Sequence, residues 1–192
     1  MSVRLIDAAD SVLVVIDTQP GFLREVDDEI AKVVEDRIRW LARVAGHVGI
    51  PVVVTEEEAD RNGPTSEVVL AALPAGQVRH PKAILGLAAE PEIMAALEAT
   101  GRRTAVLCGL ETDVCVSQSS LGLLDAGWRV VVVRDAVASP GAAHQQGLDR
   151  MRDAGAELIG TKGLAYEWLR TIERAWAMFE ALERDTPMGI TL

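Results

Sequence analysis

The chain is poor in the residues that most often carry chemistry or staple a fold. Its 192 residues include two cysteines, three histidines, one tyrosine and two phenylalanines, and of 19 basic residues only Lys32, Lys82 and Lys162 are lysines. Cys108 and Cys115 fall on a predicted strand and on the helix that follows it, placing them poorly for a disulfide, and neither has a Cys-x-x-Cys partner. A reducing compartment is therefore expected. No basic cluster offsets a formal charge of −10, which argues against binding a phosphate backbone, so nucleic acid is not an expected partner. No apolar run approaches the ~20 residues of a membrane span. Met1 is followed by Arg4, Asp7 and Asp10 without the apolar stretch of a secretory leader. A soluble, cytoplasmic protein with no membrane partner is expected.

What the chain does have is apolar sequence in strand-sized and helix-sized pieces. With 49% apolar and 25% charged residues it can bury one sizeable core, and a single domain over residues 1–192 is expected. Apolar runs mark strands over residues 12–16, 51–54, 104–108, 128–133 and 156–159, with a weaker sixth at 77–80 that ends in Pro81 and Lys82. Between them, helical spacing covers 27–48, 66–73, 91–100, 117–126 and 144–154. From Leu164 a last stripe, Trp168, Leu169, Ile172, Trp176, Phe179 and Leu182, reads as one helix over 164–184. Its aromatic content suggests a contact between subunits, hence a homo-oligomer. Alternating strands and helices predict an α/β protein: a three-layer α/β/α arrangement around a mainly parallel, six-stranded sheet.

The stretch Gly109 to Val116, Gly-Leu-Glu-Thr-Asp-Val-Cys-Val, follows one of these strands and opens a helix. Unpaired backbone N–H groups at a helix start favour a thiolate, so Cys115 is a candidate nucleophile with a depressed pKa. The bland alternative is a buried structural cysteine. Asp17 and Lys82 likewise follow predicted strands, and in a parallel sheet all three converge on one edge. A carboxylate base, an ammonium and a thiol are the parts of acyl transfer. The alternative reading is a surface ion pair between Asp17 and Lys82 beside an inert thiol.

Asp17 with Gln19 and Phe22 after the first strand, Lys82 after the third, and Gly-Leu-Glu-Thr-Asp-Val-Cys115-Val before a helix resemble the isochorismatase-like cysteine hydrolases. The resemblance runs over nearly the whole chain, and the tail Lys162 to Arg170 looks most like the YcaC-type branch. It implies the isochorismatase-like, Rossmann-like fold and a catalytic triad of Asp17, Lys82 and Cys115, with a thioester intermediate in amidase members. It also implies an oxyanion hole from the backbone amides of Glu111 and Cys115, a cis peptide between Leu110 and Glu111, and substrate contacts from Gln19 and Phe22.

Nicotinamidases of that family hold a metal with an Asp-x-His pair and a further histidine after strand two. Here residues 55–60 offer only acids, and no histidine lies between His47 and His80. Consecutive residues rarely converge on one ion, so Glu56, Glu57 and Glu58 read as a solvated acidic loop, and no metal or other cofactor is expected. Those acids would repel the dianionic substrate of an isochorismatase, which leaves small neutral amides or carbamoyl compounds. His144, Trp128 and Trp168 read as packing residues. The expected function is cleavage of a small-molecule C–N bond; a non-hydrolytic thiol-reactive or binding protein and a vinyl-ether hydrolase remain alternatives.

Overall fold

The computed structural model describes residues 5–192; Met1 and Arg4, used above in reading the leader, lie outside the described residues. In chain order the elements are β1 (Ser11–Ile16), α1 (Pro20–Leu23), α2 (Asp28–Val48), β2 (Val52–Glu57), α3 (Ala59–Asn62), α4 (Glu67–Leu70) and β3 (Arg79–Lys82). There follow α5 (Pro91–Ala99), β4 (Thr104–Leu110), α6 (Ser117–Asp125), β5 (Arg129–Ala138), α7 (Ala143–Asp153), β6 (Glu157–Ile159), α8 (Thr161–Leu169) and α9 (Ile172–Ala181). All six strands join one sheet in the order β3-β2-β1-β4-β5-β6. Every pairing is parallel.

The central strands are buried on both faces, which is why they read as unbroken apolar runs rather than alternating ones. Successive side chains of β1 point to opposite sides. Leu13 and Val15 pack with α2, α8 and α9, whereas Val12, Val14 and Ile16 pack with α5, α6 and α7. Burying one such aliphatic side chain contributes about 1.5–3 kcal/mol, so the two-sided core makes this strand order hard to rearrange. The register is as strict: at Gly109 an added Cβ would sit 1.9 Å from Ile16 O. Only glycine lets β4 lie that close to β1.

Two regions depart most from the sequence reading. β2 runs on through Thr55, Glu56 and Glu57, because these polar residues pair with His80, Pro81 and Lys82 of β3. The proline lies on the edge strand, where a missing N–H is tolerated. The C-terminal stripe is two helices, not one over 164–184. Arg170 takes a left-handed φ of 66° between them, and the Thr171 side chain caps α9 by accepting from Arg174 N. The break divides the stripe: Trp168 and Leu169 are buried in the chain's own core, with Trp168 Nε1 donating to Ser11 Oγ at 3.1 Å. Ile172 and Trp176 stay 79% and 64% exposed. Trp128, like Trp168, is buried. No helix among the described residues is long and apolar enough to cross a membrane.

Candidate active site

The strand order reverses between β1 and β4, since β2 and β3 lie to one side of β1 and β4 to β6 to the other. Crevices at the carboxyl ends of such strands are where open α/β sheets act on ligands. Asp17 directly follows β1, Lys82 ends β3, and Cys115 lies in a single π-helical turn, Thr112–Val116, between β4 and α6. The chain enters that turn through a cis peptide bond between Leu110 and Glu111. α7 supports the turn from behind: Gly147 packs on Asp113 so closely that a Cβ would come 2.7 Å from its Cα. His144 Nδ1 lies 3.0 Å from Thr112 Oγ1, which makes it a packing partner of the turn.

The three residues meet. Lys82 Nζ is 2.9 Å from Asp17 Oδ2 and 3.6 Å from Cys115 Sγ, and donates to Leu85 O at 3.1 Å. Asp17 is wholly buried in a left-handed conformation at φ 44°, and its other oxygen accepts from Thr55 Oγ1 at 2.7 Å. A fourth residue completes the cluster, one that the sequence reading placed in a solvated loop. Glu57 Oε2 accepts from Lys82 Nζ at 2.7 Å and from the Cys115 thiol at 3.0 Å. Asp17, in contrast, makes no hydrogen bond to the sulfur, although their ligand atoms lie within 4.8 Å. The carboxylate in reach of the thiol is therefore that of Glu57.

The signal that could have found Glu57 is strand periodicity. Once β2 is known to extend, Thr55 and Glu57 fall on one side and Glu56 on the other. Glu56 turns away to accept from Thr65 N and Oγ1 at 2.6 and 2.8 Å. Only Glu58 is exposed, as the loop reading expected. Among the described residues, Asp17, Glu57 and Cys115 are the group of acid and thiol side chains close enough to share a cation. The ammonium of Lys82 contacts all three.

Gln19 is the device that holds Glu57. Its side-chain amide donates to Glu57 O at 3.0 Å and to Gly63 O at 2.6 Å, and its oxygen accepts from Glu57 N at 2.8 Å. Asn62 Nδ2 adds a bond to Glu57 O at 2.9 Å. With both ends of its amide on backbone, Gln19 stands as a support rather than as a free hydrogen-bonding group. Phe22 is half-buried on α1 and packs against the core face shared by α2.

The charge balance corrects one expectation. The Cys115 thiol is pushed up, not down: burial raises it most, Asp17 and Glu57 add to that, and Lys82 only partly opposes them. Two carboxylates and one ammonium leave the cluster net negative, so a thiolate would bring a second uncompensated charge into low dielectric. Burial alone would push Glu57 up, but hydrogen bonds from Lys82 and the thiol outweigh it and hold its carboxyl below the usual range. Burial pushes Asp17 up despite Lys82. For Lys82 burial acts downward, and the flanking Asp17 and Glu57 more than reverse it, so the ammonium is retained. Glu111 is raised by burial and by Asp113, Glu25 and Glu57, marking an acidic flank.

Thiol, ammonium and carboxylates thus meet at the switch point of a parallel sheet. Residues 11–163 match the isochorismatase domain model, and the chain belongs to that family as a hydrolase of the isochorismatase-like kind. It is 29% identical to the probable hydrolase YcaC of Escherichia coli over 92% of this chain and 88% of that protein. It is 33% identical to the secreted isochorismatase effector Isc1 of Phytophthora sojae over 82% of this chain and 76% of the effector. Among solved structures, YcaC from Pseudomonas aeruginosa, with hexane-2,5-diol and covalent acrylamide, superposes with a TM-score of 0.82 at 26% identity, covering 93% and 92% of the two chains.

Proposed function

We propose that the protein is a cysteine hydrolase of a small-molecule amide or carbamoyl C–N bond, working through a triad of Cys115, Asp17 and Lys82 and a thioester on Cys115. The observation that carries this reading is the meeting of Cys115 Sγ, Lys82 Nζ and the carboxylates of Asp17 and Glu57 at the switch point, Lys82 bridging the two carboxylates and the sulfur. Sulfur attacks the carbonyl carbon once its proton is taken by a carboxylate of the cluster, and the family resemblance gives that part to Asp17. Lys82 then lies where it can stabilise the thiolate, and backbone N–H groups of Glu111 and Cys115 receive the oxyanion. The acidic flank of Glu25, Glu57, Glu111 and Asp113 favours neutral substrates over dianions. No metal or other cofactor enters the scheme.

The test is turnover on a panel of small amides and carbamoyl compounds, with mass spectrometry of acid-quenched enzyme. Acylated Cys115 and loss of turnover in Cys115→Ala are expected. Amide hydrolysis that survives Cys115→Ala would overturn the thiol as nucleophile, and cleavage of a vinyl-ether substrate by that variant would point instead to chemistry independent of the thiol. A second reading, a thiol-reactive protein without turnover, draws support from the covalent acrylamide held by the Pseudomonas aeruginosa relative. Adducts that form once and never release would establish it.

The exposed Ile172 and Trp176 on α9, beside half-buried Phe179, are proposed as a contact between subunits of a homo-oligomer. The YcaC structure of Escherichia coli, at a TM-score of 0.84, is described as an octameric hydrolase of unknown specificity. A cytoplasmic location fits the two free thiols, Cys108 and Cys115.

A further inference from the structure

Almost every side-chain polar atom around Cys115 is already committed. An ammonium has three hydrogens, and Lys82 Nζ faces Asp17 Oδ2 at 2.9 Å, Glu57 Oε2 at 2.7 Å and Leu85 O at 3.1 Å, with the sulfur a longer fourth contact at 3.6 Å. No hydrogen is left for an anionic group on a substrate. Gln19 and Asn62 donate to backbone oxygens, and two arginines of the same sheet edge are paired, Arg61 with Glu58 and Arg79 with Glu56. The atoms that stay open are acceptors. Glu57 Oε1 takes no hydrogen bond among the described residues, although Oε2 of the same carboxylate takes two. The Glu111 carboxyl, half-buried after the cis peptide, likewise has no hydrogen-bond or ion-pair partner among them. Its neighbours are Asp113, Glu25 and Glu57.

The geometry points to a substrate that brings its own positive charge: an amide or carbamoyl compound with an ammonium group a few bonds from the scissile carbonyl, received by Glu57 Oε1 with Glu111 on the same flank. This rests on the cysteine-hydrolase reading above and adds the charge of the substrate to it. Two carboxylates against one ammonium leave one net negative charge in the cluster, whether the proton sits on Cys115 or on Asp17. A substrate ammonium beside Glu57 balances that charge; an anionic substrate would double it in a largely buried site, where like charges repel strongly. The reach is right as well. Glu57 Oε2 is 3.0 Å from the sulfur, and a carbonyl carbon poised for attack sits about 3–3.5 Å from that sulfur. An ammonium two or three bonds beyond the carbon therefore falls beside the Glu57 carboxylate. Its backbone is pinned by Gln19 and Asn62, so the carboxylate is aimed by the strand and not by a loose loop. Glu57 is here a specificity-determining residue, and the proton transfer stays with Asp17.

The test is the charge selectivity of Cys115. Wild type is treated at neutral pH with three methanethiosulfonates, the 2-aminoethyl (cationic), methyl (neutral) and 2-sulfonatoethyl (anionic) reagents. Each rate is divided by that of the same reagent with 2-mercaptoethanol, and mass spectrometry locates the label on Cys115. Normalised rates should fall about tenfold from cation to neutral and again from neutral to anion, the low end of focusing by a cleft of one charge sign. In Glu57→Gln the cation-to-anion ratio should fall about tenfold. Glu98→Gln, which removes an exposed charge near the end of α5 on the opposite edge of the sheet, should leave the ratio unchanged. A ratio taken on one protein cancels its thiolate population, so a shifted thiol does not mimic the effect. An anionic reagent as fast as the neutral one, a ratio unchanged in Glu57→Gln, or an equal change in Glu98→Gln would overturn the proposal. Labelling of Cys108 in Glu57→Gln would mark a lost fold; Glu111→Gln then carries the comparison and should lower the ratio about threefold, as a more distant charge does, and no change there overturns the proposal. Turnover separates the two readings. kcat/KM should rank β-alaninamide above butyramide above succinamate, three amides of one chain length with a positive, no and a negative charge. A preference for butyramide or succinamate overturns the charge assignment alone. No ammonia released from any of the three, with the reagent order intact, overturns the hydrolase reading instead.

Discussion

Cys108 and Cys115 lie on one stretch of chain, both buried, and both with thiols pushed above the ordinary range. For Cys108 burial is the whole cause, and its thiol donates to a backbone oxygen, Val14 O, at 3.6 Å. For Cys115 the shift is a contest, in which burial, Asp17 and Glu57 act against Lys82. A thiol in the middle of β4 has nowhere to send its proton, whereas one beyond the end of that strand touches a carboxylate and an ammonium. Reactivity in this fold is decided by polar partners and not by exposure. The difference between the two is testable.

The largest expected effect is on turnover. Cys115→Ala should reduce amide hydrolysis by roughly 10³-fold or more, as removal of a nucleophile does. Cys108→Ala should leave turnover intact and lower stability by about 1 kcal/mol, the scale of deleting one small buried group. Activity lost equally in both variants would erase the distinction. Next comes Lys82→Met, which strands Asp17 as a buried unpaired carboxylate and should cost about 3–5 kcal/mol in a denaturation series. The same variant should alkylate more slowly at Cys115, since the one group favouring its thiolate is gone. Unchanged alkylation would show that Lys82 does not govern the sulfur.

A pH series sharpens the comparison further. Because the Cys115 thiol is raised, its alkylation rate should still be climbing past pH ~9.5, about one unit above the ordinary cysteine value of ~8.5, where an unperturbed thiol has levelled off; a plateau at or below that pH would contradict this charge balance. The sign for Glu57 runs the other way. Its folded carboxyl lies below the unfolded value, so its stabilising contribution is full above the unfolded pKa and is lost as pH falls through the folded one. Removing Trp176 should act on assembly alone: Trp176→Glu is expected to shift sedimentation toward smaller species without changing the order in which the two thiols are alkylated. The smallest effect belongs to the C-terminal tie, where Asp185 pairs with Arg39 and Arg43 at a partly exposed site. Asp185→Asn should cost about 1 kcal/mol or less in thermal unfolding.

Much of the architecture was legible because buried parallel strands must be apolar throughout, and residues 12–16, 104–108 and 128–133 show it. Asp17, Lys82 and Cys115 were legible as strand-end residues, since a parallel sheet brings such ends to one edge. Glu57 was not, for a physical reason: within Glu56-Glu57-Glu58 nothing local distinguishes a residue that bonds Thr65, one that bonds a thiol and one that faces water. That sorting needs β3 alongside, with Pro81 and Lys82 opposite Glu56 and Glu57. The helix break at Arg170 was equally hidden, because the apolar spacing continues across it while the backbone turns to bring Trp168 inside and leave Trp176 outside.

The sequence by itself therefore determined the layer architecture and the edge of the sheet at which chemistry is possible, because apolar periodicity and strand direction are properties of the chain read locally. Only the tertiary structure decided which carboxylate touches the sulfur and whether its thiol is raised or lowered. Those outcomes depend on distances of about 3–4 Å between side chains far apart in sequence, where in low dielectric a single added charge reverses the sign of the result.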